Sequence, residues 1–185
     1  MSDIRGLVIQ SRLDYLENFY DNTVMQNIMK SLPDPVRQAV GEQVFPSNLY
    51  PFHYLRDLDT TIGEAIEKPL ETIFTEIGES YAYQILDRYF YNYIESRDPQ
   101  KFLAQLSKLY PYLWNFGEYT CQKSNARSAT LRFQYDDDIY KPYCWFIQAF
   151  LKKGIELCGG NSVEIDEKGC ESSENEACIY QVKWK

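Results

Sequence analysis

The hydrophobic period of this chain changes at Gly117, and that change limits the folds open to it. Before Gly117, apolar residues recur at helical spacing: Ile9, Leu13, Leu16 and Tyr20, then Val24, Ile28, Met29 and Leu32. After it, Ala129, Leu131 and Phe133 alternate with Thr130 and Arg132, the period of a half-buried strand. Helical stripes followed by sheet faces predict an α+β class. The expected architecture is an N-terminal helical bundle packed on a small antiparallel sheet, the helices being followed by β-β-α-β-β. Residues 1–117 form the mainly helical part and 118–185 the sheet part of a single domain.

Punctuation refines this outline. Pro33 and Pro35 interrupt the second helix, and Phe45 to Pro51 reads as a turn, because each proline lacks a backbone donor and pushes its predecessor out of helical geometry. A helix resumes with Leu55, Leu58 and Ile62. The longest periodic run, about Glu71 to Glu95, carries Ile73, Phe74, Ile77, Tyr81, Ile85, Tyr89 and Tyr93 near one stripe. Asp98 before Pro99 is an N-cap and N1 pair for a helix through Phe102, Leu106 and Leu109, kinked or ended at Pro111. A hairpin over 118–124 and 127–134 turns at Ser124 and Asn125. Asp136, Asp137 and Asp138 suit the N-terminus of a helix that carries Cys144 and stops at Gly159 and Gly160. Strands from Val163 to Glu167 and Ala177 to Trp184 close the chain. Alternation in the last puts Cys178, Tyr180, Val182 and Trp184 on one face.

Charge and cysteine usage narrow the function classes. With 185 residues, 44% of them apolar, the chain is long enough for one core that buries roughly 70% of the unfolded surface. Its net charge of −8 and lack of a basic stripe predict no nucleic-acid partner. No stretch reaches the roughly 18 apolar residues of a membrane span, and the charged opening segment lacks a following apolar region, so a cytoplasmic location is expected. Five cysteines, an odd number, argue against a disulfide framework and leave metal binding or ordinary burial as explanations. Cys121 and Cys158 fit the second, as small buried hydrophobes.

The other three fall in the pattern C-x22-E-x2-C-x7-C: Cys144, Glu167, Cys170 and Cys178. Three thiolates and a carboxylate are the donors a closed tetrahedral structural zinc accepts, with no position left for a reacting water. Simple burial of the same cysteines remains the alternative at this point. If Cys170 opens the last hairpin and the helix packs across it, the three thiols can converge. No enzymatic activity is expected: the chain has one histidine, His53, no G-x-S-x-G motif and no Gly-rich phosphate loop.

Further residues carry a family resemblance. They are the opening Arg5-Gly6-Leu7-Val8, the segment Phe45-Pro46 to Tyr50-Pro51 with Tyr54-Leu55, and the ending Cys170-Glu171 through Ala177-Cys178 to Trp184. Over essentially its full length the chain resembles a myxobacterial-type paralogous family within the superfamily of heme-nitric-oxide-binding (H-NOX), 4-vinyl-reductase-type and TRAPP vesicle-tethering domains. The resemblance implies a zinc held by Cys144, Glu167, Cys170 and Cys178, because the 4-vinyl-reductase-type sensors hold one with cysteines and an acidic residue in similar order. It implies no heme, since the Y-x-S-x-R motif is absent and His53 stands at the start of a helix rather than deep in a distal one.

Two functions follow from the resemblance. One is a ligand-sensing or signalling module binding a small apolar or aromatic molecule; the other is a constitutive assembly subunit, like the vesicle tethers, acting as a homodimer or with a protein partner. Among 16 tyrosines and 10 phenylalanines, Tyr89, Tyr93, Trp114, Tyr119, Phe133, Trp145 and Phe146 are candidates to line a ligand chamber, unless they simply pack the core.

Overall fold

The structure, a computed structural model, describes residues 2–89, 91–95, 97–173 and 176–185. Short strand β1 (Asp3–Arg5) leads into helix α1 (Gly6–Phe19), followed by α2 (Asn22–Ser31) and α3 (Asp34–Gly41). Strand β2 (Leu49–Pro51) pairs antiparallel with β1 and runs into α4 (Phe52–Ala65). Then come α5 (Leu70–Tyr89), α6 (Tyr91–Glu95) and α7 (Pro99–Leu113). The last third is β3 (Glu118–Asn125), β4 (Ser128–Gln134), α8 (Lys141–Leu157), β5 (Glu164–Gly169) and β6 (Cys178–Lys183), forming an antiparallel sheet of order β3-β4-β6-β5. The α+β class and the β-β-α-β-β order are therefore as the hydrophobic periods require.

Local differences have local causes. Pro35 does more than interrupt: it sits in the first turn of α3, where its missing N–H is an orphan position anyway. The turn expected over 45–51 contains β2, a strand too short to show alternation. Asp98 caps α7 through the Lys101 amide at 3.1 Å, but the helix continues through Pro111 to Leu113. The hairpin turns at Ala126 and Arg127 rather than Ser124 and Asn125, with the Asn125 side chain accepting from the Arg127 amide. The three aspartates do not cap α8, whose N-cap is Tyr140; Asp137 instead accepts from the Ser2 amide.

Helix α8 lies at the centre, with α5 along one side and the sheet on another. The α5 contact depends on Gly78, where a Cβ would collide with the Phe146 carbonyl oxygen and approach the Ala149 Cβ at 2.8 Å. One contiguous core runs from Ile4 to Trp184 and includes Tyr81, Trp114, Phe146 and Phe150. A buried ion pair ties the N-terminal helices to α8. Arg12 of α1 donates to both carboxylate oxygens of Asp59 on α4, at 2.9 and 3.1 Å, and its guanidinium lies 4.0 Å above the Phe146 ring. The Tyr140 hydroxyl donates to Asp59 at 2.6 Å. Burial works against the Arg12 charge, but the Asp59 carboxylate outweighs it and raises the arginine's pKa. No helix among the described residues is long and apolar enough to cross a membrane.

Replacing Gly78 by Ala is expected to cost about 1–3 kcal/mol in urea unfolding, because a backbone carbonyl must move to admit the methyl group. Gly41→Ala is the control. A Cβ there meets only the Met29 Cε, at 3.5 Å, and the change should stay within about 1 kcal/mol.

Candidate metal centre

Three elements bring three thiols together. Cys144 lies in the first turns of α8, Cys170 opens the connection after β5, and Cys178 begins β6 with its side chain on the face that carries Tyr180 and Val182. A single 3-10 turn, Glu171–Ser173, folds that connection back over the helix. The Cys144 and Cys170 Sγ atoms are 3.1 Å apart and those of Cys170 and Cys178 3.7 Å. All three lie within 4.8 Å of one another and are buried. None of the five cysteines is in a disulfide.

The spacing suits a metal. Thiolates around tetrahedral zinc, with bonds near 2.3 Å, stand about 3.8 Å apart, so the Cys144–Cys170 and Cys170–Cys178 pairs would have to spread by less than about 1 Å. Polar groups already converge on them. The Ser172 hydroxyl is 2.8 Å from the Cys170 sulfur, and the Glu171 amide donates to Cys178 at 3.3 Å. Hydrogen bonds from the Cys144 and Cys178 thiols hold the Cys170 pKa well below the usual thiol range, against the opposing effect of burial. The same contacts push Cys144 up. For Cys178, lowering by Cys144 is outweighed by its bond to Cys170 and by burial, leaving its pKa at about 12. Because the three sulfurs hydrogen-bond to one another, their titrations are coupled and belong to the cluster rather than to any one residue.

Glu167 stands apart from the sulfurs. The group of mutually close donors contains the three cysteines alone among the described residues. The Glu167 carboxylate instead accepts from the Lys141 ammonium at 2.7 Å and the Gln148 amide at 2.6 Å, both on α8. The four residues of the sequence pattern thus divide into a converged trio and a neighbour engaged elsewhere. Spacing could not separate these cases, since a strand pairing Glu167 with Tyr180 turns it toward α8 either way.

The aromatic candidates also divide. Trp114, Tyr119, Phe133 and Phe146 are buried in one block with Tyr81, Tyr110 and Phe150. Ring centroids within it are 4.9 Å apart for Tyr119 and Phe133, 5.2 Å for Trp114 and Phe150, and 5.2 Å for Tyr81 and Phe146. Trp145 points elsewhere, into a groove shared with Glu71, Thr75, Val163 and Ile165. The side chains of Tyr89 and Tyr93 lie outside the described residues. Among the described residues, Tyr81 Oη, Trp114 Nε1, Tyr143 Oη and Tyr180 Oη are buried without a hydrogen-bond partner. Of these orphaned donors, sequence reasoning singled out Trp114 for a ligand chamber but not Tyr81, Tyr143 or Tyr180, and it missed Lys141, Gln148 and Ser172 around the thiols. Helical spacing does signal the first two, which flank Cys144 at i−3 and i+4.

A family described as "Protein of unknown function (DUF2378)" matches residues 55–185. No curated protein matches the chain. Solved structures do. The Fe(II) unliganded H-NOX protein from K. algicida is 13% identical with a TM-score of 0.75, and the match covers 98% of this chain and 97% of that one. The Fe(II)NO H-NOX protein from S. oneidensis is 10% identical with a TM-score of 0.77, covering 98% and 99% respectively. A third structure, which probes heme distortion in the H-NOX family, is 14% identical with a TM-score of 0.75, covering 98% and 95%. At these identities the likeness shows the fold, which is H-NOX-like.

Thiol labelling of the metal-free, reduced protein provides a direct check of burial. Cys121 is partly exposed on β3, and the remaining four cysteines are buried. One thiol should react quickly and the others at least about tenfold more slowly, with all becoming equivalent on denaturation. Rapid labelling of more than one thiol would contradict the packed cluster.

Proposed function

This chain belongs to the DUF2378 family, and from its H-NOX-like fold and buried thiols we propose that it is a non-catalytic module that senses a small molecule and is stapled by zinc. Cys144, Cys170 and Cys178 would hold the ion as thiolates, with Glu167 the candidate fourth donor once released from Lys141 and Gln148. The metal would tie α8, the connection after β5 and strand β6 into one rigid corner. Three close thiols without a disulfide suit a reducing compartment, and we place the protein in the cytoplasm.

The sensing half is carried by one observation, the orphaned donors inside the aromatic block. Leaving a buried N–H or O–H unsatisfied costs about 1–3 kcal/mol. Tyr81, Trp114 and Tyr143 each present such an atom inside the buried aromatic block. An apolar or aromatic molecule with an acceptor atom, such as a phenol, would satisfy them by opening the block between α5, α7 and α8. Its preference for the opened packing would shift the module between two states.

The residues do not fit heme, although the solved neighbours carry iron. The sole histidine, His53, is exposed on the first turn of α4 and packs edge-on against Tyr54. Cys144, Cys170 and Cys178 engage one another. Between α7 and the sheet, Tyr110, Trp114, Tyr119 and Phe133 occupy the interior at ring distances of 4.9 to 6.2 Å.

A second reading, a constitutive assembly subunit, draws on Phe19, Tyr83, Tyr91 and Tyr112, which expose large apolar surface on four helices. Thermal denaturation with a panel of phenols and fatty acids separates the two. A ligand at one hundred times its Kd should stabilise the native state by about 2.7 kcal/mol. Trp114→Phe removes the unpaired donor but leaves a small cavity in the packed block, so it should change the stability of the unliganded protein by no more than about 2 kcal/mol while reducing the ligand's effect. A panel without a hit, together with a concentration-independent dimer, would transfer support to the assembly reading.

Zinc removal gives a separate expectation. Chelation, or Cys170→Ala, should lower the unfolding midpoint markedly, because structural zinc binding energy is folding energy. Cys121→Ala should change neither metal content nor midpoint.

A further inference from the structure

Lys141, Cys144 and Gln148 stand at i, i+3 and i+7 on one face of α8. Glu167, opposite Tyr180 in the β5–β6 ladder, reaches across that face, and its two carboxylate oxygens are taken separately by Lys141 and Gln148. The carboxylate therefore lies beside Cys144 without joining the sulfurs.

This arrangement makes the fourth donor conditional. Zinc in a closed site takes four ligands, whereas some soft ions are content with three thiolates in a pyramid. We infer that Lys141 and Gln148 are specificity-determining residues of the thiol site. By holding Glu167 away, they leave a three-sulfur site that accepts trivalent arsenic directly, while zinc must first draw Glu167 from two charge-assisted hydrogen bonds. The inference rests on the metal-binding reading above and adds the choice among ions.

The arsenic step needs no oxidant. As(OH)3 condenses with three thiols to As(SR)3 and three waters: three As–O bonds break, three As–S bonds form, each thiol proton leaves in a water, and arsenic stays trivalent. No carboxylate takes part, so the position of Glu167 is immaterial to it. Zinc binding instead displaces the Cys144, Cys170 and Cys178 thiol protons to solvent and exchanges Glu167 from nitrogen donors to the ion.

The test measures zinc affinity by chelator competition and arsenite affinity by near-ultraviolet titration in the reduced full chain, comparing wild type with Lys141→Met and Gln148→Leu. Both variants should tighten zinc about tenfold, the worth of one charge-assisted hydrogen bond, and leave arsenite within about twofold. Adding Glu167→Gln to Lys141→Met should erase the zinc gain. Lys141 is substantially exposed, with 39% of its side chain accessible, so the fold should survive, and unchanged circular dichroism checks that it does. If wild type binds both ions but zinc is unchanged or weaker in Lys141→Met, or arsenite shifts in parallel, the clamp is overturned and the metal site stands. If wild type binds neither ion, the metal site fails and the clamp with it.

Discussion

Everything at the thiol site depends on how closely α8 can approach α5. Gly78 of α5 lets the two backbones meet at the Phe146 carbonyl, and on another side of α8 Gly154 leaves room for the Phe102 ring of α7, whose Cζ lies 2.5 Å from where a Cβ would stand. Such contact fixes both the rotation and the height of α8. With these set, Cys144 can face Cys170 and Cys178 while Phe146 and Phe150 fill the interior toward Tyr81 and Trp114. One helix thus serves the metal corner and the aromatic block, and a displacement of either is felt by the other.

The N-terminal helices reach the same element by electrostatics. Arg12 and Asp59 are both fully buried, with the Tyr140 hydroxyl as a further donor and the Phe146 ring beneath the guanidinium. Desolvating two charges is costly, and the paired geometry offsets that cost without guaranteeing a net gain. Its clearer consequence is registry: α1 and α4 can meet the entrance of α8 in one way only, because any other leaves a charge buried alone.

Much of this was legible in the residues. Alternation in the last strand placed Cys178, Tyr180 and Val182 together, and the hairpin and helix positions brought Cys170 and Cys144 to the same point, as found. Arg12 and Asp59 interrupt apolar stripes at i+4 from Val8 and Leu55, a readable sign of a buried pair, although their mutual partnership is a tertiary fact. Glu167 shows the limit. Spacing gives its proximity to the cysteines, but whether a carboxylate turns to sulfur-bound metal or to Lys141 is decided by competing side chains 26 and 19 residues away. The aromatic block was equally half-visible. Trp114, Tyr119, Phe133 and Phe146, candidates from sequence to line a ligand chamber, pack in one buried block, whereas Trp145, one residue from Phe146, turns to a different surface because adjacent helical residues diverge by about 100°.

The central claim is that three cysteines hold a metal in a fold whose solved neighbours carry iron. Native mass spectrometry of freshly purified protein, compared with its mass after acid denaturation, tests it most directly. The account predicts an excess of one zinc per chain that disappears in acid and is absent from Cys170→Ala, with any further excess reporting a retained small molecule. A metal-free native mass, in protein that still folds after zinc is supplied and withdrawn, would contradict it.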